Sequence, residues 1–291
     1  MTSNFTCVLD VRASLGECPV WCSNDQSLYW VDISAPSLNR FDPATAINTA
    51  WKMPESIGSF TLRKAGGFVA ALRSGFWLID RDGRLERKLI DAPYDSTHHR
   101  FNDGRADAQG RFWAGSMNEK RDANTARLYR LDPNLKLSAM IDDIMISNGL
   151  AFSPDGRILY HADTPSRTVH AYDFDETAAT LSNRRIFIRF EAENDRPDGA
   201  AVDREGCYWS ALYRGGKVVR ISPGGTLIGE YELPAQCPTM CAFGGPDLRT
   251  LFVTSARQMR DPEELARLPQ SGGIFAMRVE TPGLPEPRFA G

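Results

Sequence analysis

The chain has 291 residues, of which 42% are hydrophobic and 24% are charged, and its formal net charge is −3. These values are typical of a folded globular protein of one or two domains. Basic and acidic residues are interleaved, and no run of lysine and arginine indicates a nucleic acid or an acidic membrane surface as the partner. We expect a cytoplasmic protein, because the N-terminus lacks a signal-peptide pattern and no apolar stretch is long enough to span a membrane.

Short β-rich segments separated by turn residues follow one another along the chain. After an N-terminal run at residues 6–11, the first two units contain CPVWCSNDQSLYWVDI and TLRKAGGFVAALRSGFWLIDRDG. Four more regular units contain GRADAQGRFWAGSM, NGLAFSPDGRILYHAD, DGAAVDREGCYWSALY and CAFGGPDLRTLFVTSA, and each is followed by an apolar third strand. The turns contain glycine, often after an acidic residue, and good helical periodicity is confined to residues 261–268.

The repeated unit predicts an all-β fold, a six-bladed β-propeller that forms a single domain over residues 1–291. The spacing of the units, roughly 40 to 50 residues, is the period of propeller blades. One blade alone is a small sheet that cannot bury both faces, whereas a closed ring of blades buries them all. We expect residues 6–11 to supply the outer strand of the last blade and so to close the ring. An open sandwich or two domains is the alternative.

Polar side chains recur at one phase of the repeat, where each innermost strand begins. They are Glu17, Asn102, Asn148 and Asp198. Because residues at one phase of a ring share a radius and a height, these side chains should converge at one mouth of the central channel. Arg100 should reach the same mouth and bind an anionic or oxygen-rich ligand.

Two inward-facing carboxylates repel each other, and a divalent cation would stabilise them. Oxygen ligands suit Ca²⁺, Mg²⁺ or Mn²⁺, and Fe²⁺ or Zn²⁺ can be accommodated with water. The sequence therefore predicts one divalent metal ion of undetermined identity. The alternative for each residue is structural, because Asn and Asp at strand starts often only cap a turn.

Several long motifs of the chain occur in the same order in a known protein family. They are LGECPVW, RFNDGRADAQGRFWAGSM, SNGLAFSPDGRILYHADT, RPDGAAVDREGCYWSAL and CAFGGPDLRTLFVTSA. The chain thereby resembles the regucalcin/gluconolactonase family, the senescence-marker-protein-like sugar lactonases, and most of all its bacterial pentonolactonase-type members. The resemblance implies a metal-dependent hydrolase that opens a sugar lactone, such as arabinono-, xylono-, galactono- or gluconolactone, to the aldonic acid. The alternatives are a non-catalytic calcium-binding regulator of the regucalcin type and a related metal-dependent esterase.

The same resemblance implies roles for individual residues. Glu17, Asn148 and Asp198 match the metal ligands of the family, and Asp198 also matches the residue that transfers the proton. Arg100 and Asn102 match the residues that bind the sugar. The expected partner is thus a small sugar lactone, and we expect a monomer or a weak oligomer.

The chain departs from the family just after its GSM sequence. Regucalcin-like members have a substrate-contacting Glu there, whereas this chain has Lys120, with Glu119 beside it. Both residues are therefore candidate substrate contacts. The departure leaves open which sugar and which ring size are preferred.

Two Cys-Pro-x-x-Cys runs also resemble metal-binding patterns, one with Cys18 and Cys22 and the other with Cys237 and Cys241. In an extended strand, residues four apart lie about 13 Å from each other, too far to share one ion. We expect all six cysteines to be reduced thiols that act as small apolar residues. The alternative is a thiol site formed between the first and last blades.

Overall fold

The computed structural model describes residues 5–291, and its strands form six antiparallel sheets of four strands each. The first blade consists of β2 (Gly16–Cys22), β3 (Ser27–Asp32), β4 (Ser37–Asp42) and β5 (Ile47–Lys52). The second consists of β6 (Ile57–Leu62), β7 (Phe68–Leu72), β8 (Gly75–Ile79) and β9 (Leu85–Asp91). The third consists of β10 (His99–Ala106), β11 (Phe112–Asn118), β12 (Ala126–Leu131) and β13 (Leu137–Ile144).

The remaining three blades repeat this order. The fourth consists of β14 (Ser147–Phe152), β15 (Ile158–Asp163), β16 (Thr168–Asp175) and β17 (Thr180–Arg189). The fifth consists of β18 (Arg196–Val202), β19 (Tyr208–Tyr213), β20 (Lys217–Ile221) and β21 (Leu227–Glu232). The sixth consists of β22 (Pro238–Gly244), β23 (Thr250–Ser255), β24 (Ile274–Arg278) and, as its outer strand, β1 (Thr6–Leu9).

The predicted six-bladed propeller and its mode of closure are confirmed. The N-terminal strand β1 pairs antiparallel with β24, where Thr6 lies opposite Ala276, so the last blade contains both ends of the ring. The paired segment ends at Leu9, two residues earlier than the pattern predicts. The one predicted helix is also present as α1 (Pro262–Arg267), whose first turn is capped by the side chain of Asp261.

The core lies between adjacent blades, where large rings pack. The rings of Tyr29 and Phe68 lie 5.1 Å apart between the first two blades, and those of Tyr160 and Tyr208 lie 5.1 Å apart between the fourth and fifth. All four residues lie on the second strands of their blades. Aromatic pairs at this distance add to the stabilisation that burial provides. No helix within residues 5–291 has the length and apolar character needed to cross a membrane.

The innermost strands β2, β6, β10, β14, β18 and β22 adjoin one another around the channel, and their ends differ in what covers them. The C-terminal segment crosses the end at which these strands finish. There Phe289 donates its backbone N–H to Leu62 O at 2.8 Å, and Glu286 binds Arg105 at 2.8 Å. The polar side chains singled out by the repeat lie at the other end, where the strands begin.

Candidate functional site

Every innermost strand has an irregular register near its beginning. The strand pairing shifts after residues Glu17, Ile57, Phe101, Asn148, Pro197 and Pro238. Such β-bulges bend a strand and redirect its side chains, and they are common beside functional sites. The pairs Asn148-Gly149 and Asp198-Gly199, which resemble turn dipeptides in the sequence, therefore lie within bulged strands.

One of these bulges requires glycine. Gly149 has a φ of +61°, and a Cβ atom there would overlap the hydroxyl of Tyr208. That hydroxyl donates a hydrogen bond to Gly149 O at 2.8 Å. The glycine thus allows the fifth blade to pack directly behind Asn148.

The structure brings the five residues at the predicted mouth into the wall of one cavity, with a volume of about 220 Å³. They are Glu17, Arg100, Asn102, Asn148 and Asp198, and they come from blades one, three, four and five. Their exposed fractions lie between 3% for Asn148 and 9% for Arg100. The cavity therefore has a polar, buried floor at the mouth of the channel.

A chain of hydrogen bonds fixes the amides of this floor. Arg100 Nη1 donates to Asn102 Oδ1 at 2.8 Å, and Asn102 Nδ2 donates to Asn148 Oδ1 at 2.8 Å and to Ser147 O at 3.0 Å. Asn148 Nδ2 donates to Thr164 Oγ1 at 2.7 Å. Because Asn148 accepts a hydrogen bond at Oδ1 and donates one from Nδ2, its side-chain amide keeps one orientation. Thr164 lies on a short 3-10 turn, and nothing in the repeat pattern distinguishes it.

The carboxylates of Glu17 and Asp198 lack an ion-pair partner within residues 5–291. Burial, followed by the negative charge of Asp103, raises the pKa of Glu17. Burial, followed by the negative charges of Glu17 and Asp103, raises the pKa of Asp198 well above its usual range. Both shifts have the same two causes, the burial of the carboxyl groups and the repulsion between neighbouring negative charges.

Asp103 is a third buried carboxylate that the sequence interpretation missed. Its Oδ2 accepts from the backbone N–H of Leu150 at 2.8 Å, whereas its buried Oδ1 has no hydrogen-bond partner in the described part of the chain. Its position beside Asn102 in the RFNDG motif is the sequence feature that could have indicated a buried carboxylate here. Asp103 does not line the cavity, so the carboxylates of Glu17 and Asp198 and the oriented amide oxygen of Asn148 form the oxygen donor set there, which fits a hard divalent cation.

The structure does not place Glu119 or Lys120 in the cavity wall. Glu119 forms two hydrogen bonds of 2.8 Å with Arg73 of the second blade and lies 3.7 Å from Arg100 Nε. Lys120 is exposed. The next residue, Arg121, lines the cavity instead.

A second acidic group lies at the opposite end of the fifth blade. Asp203, Glu205 and Cys207 are close enough together to share an ion, and they are the only such group among the described His, Cys, Asp and Glu residues. However, Arg220 Nη2 contacts Asp203 Oδ2 at 2.7 Å and Glu205 Oε2 at 2.8 Å. Asp203 Oδ2 also accepts from Trp209 Nε1 at 2.9 Å. Arg220 thus binds both carboxylates, and Asp203 Oδ1 accepts from the backbone N–H groups of Glu205 and Cys207, so this group stabilises the turn between β18 and β19.

The cysteines of the two Cys-Pro-x-x-Cys runs are buried free thiols. Cys18 and Cys237 pack in one apolar cluster, and Cys18 Sγ lies 3.5 Å from Phe60 O. Burial raises the pKa of the Cys18 and Cys237 thiols, which disfavours the thiolate that metal binding requires. The two runs act as core residues, as the spacing argument predicts.

The sequence matches the family described as "SMP-30/Gluconolactonase/LRE-like region" over residues 15–257. The chain belongs to this family. It is 48% identical over 291 residues to the 6-deoxy-6-sulfogluconolactonase of Pseudomonas putida, with 100% of both chains covered. It is also 37% identical over 275 residues to human regucalcin, with 92% of each chain covered.

Solved structures of family members have the same ring. A calcium-binding regucalcin from Agrobacterium tumefaciens superimposes with a TM-score of 0.94 and 28% identity, covering 98% of this chain and 97% of the other. The predicted family is confirmed, and so is the predicted enzyme class, a hydrolase of the lactonase type. The roles of the individual site residues stay predictions.

Proposed function

We propose that this protein hydrolyses a sugar lactone to the aldonic acid, in the cavity lined by Glu17, Asn148 and Asp198 and with one divalent cation. The observation that carries the proposal is the pair of buried carboxylates, without ion-pair partners in residues 5–291, that line the same cavity as an oriented amide oxygen. A lactone is a cyclic ester. Its hydrolysis needs an electrophile at the carbonyl oxygen, an activated water and a proton for the leaving ring oxygen.

Glu17, Asn148 and Asp198 would hold the cation through carboxylate and amide oxygens. Bound there, the cation would supply positive charge that polarises the carbonyl and stabilises the developing oxyanion. The cation would also remove the repulsion that raises the pKa of both carboxyl groups. Calcium is the first ion to test, because the regucalcin of similar structure is described as calcium-binding.

Asp198 would move the proton during ring opening. Its carboxylate takes a proton from the attacking water and returns it to the ring oxygen as the C–O bond breaks. Arg100 and Asn102 would orient the sugar, because Arg100 is fixed by hydrogen bonds of 2.8 Å to Phe101 O and Asn102 Oδ1.

Among sugar lactones we propose a six-carbon lactone as the substrate class. The relative that shares 48% identity over the whole chain is named for a gluconolactone derivative, which supports a hexonolactone over arabinono- or xylonolactone. Initial rates with 1,4- and 1,5-lactones of both sizes, measured by proton release, would rank them. A higher kcat/KM for the pentonolactones would contradict the assignment.

The catalytic role is tested by Asp198→Asn and by removal of the metal. We expect Asp198→Asn to lower kcat at least about 100-fold, the usual contribution of general acid–base catalysis, with an unchanged circular dichroism spectrum. Chelation should abolish activity, and added divalent cation should restore it. The matched control is Asp155→Asn, which removes an acid from an exposed turn at the far end of the fourth blade. Calcium binding without turnover of any lactone would favour the regulator alternative.

A further inference from the structure

We infer that the substrate carries a tetrahedral anion, a sulfonate or a phosphate, at the end remote from its lactone carbonyl, and that Arg121 and Arg196 bind this anion. The inference rests on the proposed lactone hydrolysis and adds the charge of the substrate to it. It concerns the outer part of the same cavity, which the proposed chemistry at Glu17 and Asp198 leaves unexplained.

Two guanidinium groups line this cavity without a carboxylate partner. Arg121 is exposed, and its side chain has no hydrogen bond or ion pair to any described residue. Arg196 is half-buried, and its Nε donates to Glu193 O at 3.3 Å. Arg278, an arginine elsewhere on the surface, is instead paired with Asp247. An anion bound in the outer part of the cavity would have these two groups available as partners.

The two arginines flank one wall of the cavity. Arg121 lies on the loop between β11 and β12 in the third blade, and Arg196 begins β18 in the fifth. The fourth blade lies between them and contributes Met145, Ile146 and Pro165 to the cavity lining. A ligand that extends outward along this apolar wall would meet guanidinium groups on both sides.

The depth of the charged groups fixes the orientation of the ligand. The carboxylates and amides are buried, whereas Arg121 is exposed and Arg196 is intermediate. The lactone carbonyl would therefore point inward and the anionic group outward. Arginine binds phosphate oxygens through two parallel N–H donors, and the oxygens of a sulfonate or a carboxylate can accept in the same way, so the two arginines account for the negative charge of the group. The relative from Pseudomonas putida, named for a gluconolactone with a sulfonate on its sixth carbon, independently supports this class.

The backbone at Arg121 accounts for the position of Glu119 and Lys120, the two predicted substrate contacts, outside the cavity wall. Its φ is +55°, which turns the chain immediately after Glu119 and Lys120. Glu119 is held by Arg73 outside the cavity, so it does not neutralise Arg121. The departure from the family pattern thus exchanges an acidic contact for a basic one.

The test compares kcat/KM for four lactones of one ring size: unsubstituted gluconolactone and its 6-sulfo, 6-phospho and 6-carboxylate analogues. We expect the kcat/KM of the wild type for the sulfonate or the phosphate lactone to exceed that for the neutral lactone at least about tenfold. Of these two anionic lactones, the one with the higher kcat/KM identifies the anion that the site binds. Arg121→Gln and Arg196→Gln should each lower kcat/KM about tenfold on that anionic lactone and much less on the neutral one. Arg127→Gln is the matched control, because it removes an exposed arginine of the third blade that does not line the cavity.

The salt dependence of kcat/KM is a second readout. Added salt should lower kcat/KM for an anionic lactone, because it screens the attraction to the arginines, and should leave kcat/KM for the neutral lactone nearly unchanged. The inference is overturned if the wild type prefers the neutral lactone, or if the arginine variants lose the same factor on every lactone. A preference for the planar carboxylate would also overturn it. If the wild type hydrolyses none of the lactones with any divalent cation, the proposed function itself fails, which is a different outcome from lost selectivity.

Discussion

His161 should make the folded protein sensitive to mild acid. The side chain is 2% exposed and shares a hydrogen bond of 2.8 Å between its Nε2 and Ser147 Oγ. Burial, followed by the nearby charge of His170, lowers the pKa of His161 from 6.5 to about 3. The folded state therefore keeps this imidazole neutral at a pH where an unfolded chain would protonate it.

The sign and size of the effect follow from proton linkage. Well above the unfolded pKa of 6.5, the imidazole is neutral in both states and adds no pH dependence. Below it, the unfolded state binds a proton that the folded state excludes, so the free energy of unfolding falls by up to about 1.4 kcal/mol per pH unit. Between about pH 7.5 and about pH 5, the loss from His161 alone is about 2 kcal/mol.

Denaturant unfolding at these two pH values, followed by tryptophan fluorescence, measures this loss in the wild type and in His161→Gln. Glutamine can keep a hydrogen bond to Ser147 but does not titrate, so the variant should lose about 2 kcal/mol less on acidification than the wild type. His98→Gln is the control, because His98 is exposed. Equal acid sensitivity in the wild type and in His161→Gln would refute the reasoning.

Three other substitutions test how the site and the ring are supported. Thr164→Val removes the acceptor for Asn148 Nδ2 and should weaken divalent cation binding, measured by calorimetry, about 10- to 100-fold; unchanged affinity would show that this contact does not orient the amide. Gly149→Ala should lower the free energy of unfolding by about 2–4 kcal/mol, because the new methyl group meets Tyr208 in a left-handed backbone, whereas Gly156→Ala in a turn should lower it by about 1 kcal/mol. Equal losses would refute the overlap argument. Arg220→Met leaves the buried Asp203 without its guanidinium and should lower the melting temperature; metal-dependent recovery of that stability would instead indicate an ion site there.

The sequence by itself determined the ring, its closure and the residues at its mouth. Each blade is a meander of neighbouring segments, so its strands and turns follow from local patterns of apolar, aromatic and glycine residues. Repetition then places Glu17, Asn148 and Asp198 at one height, although they are far apart in the chain. The N-terminal strand could be assigned to the last blade because a ring must cover its exposed edge.

Only the tertiary structure decided which side chains complete the cavity. The bulge at Asn148 and its hydrogen bond to Thr164 form between segments of the fourth blade that are apart in sequence, and the buried position of Asp103 depends on Leu150 of the next blade. The loop after β11 shows the same limit, because Arg73 of the second blade holds Glu119 away from the cavity and Arg121 lines it instead. A repeat pattern fixes where a strand begins, but contacts with distant residues decide where a loop side chain points.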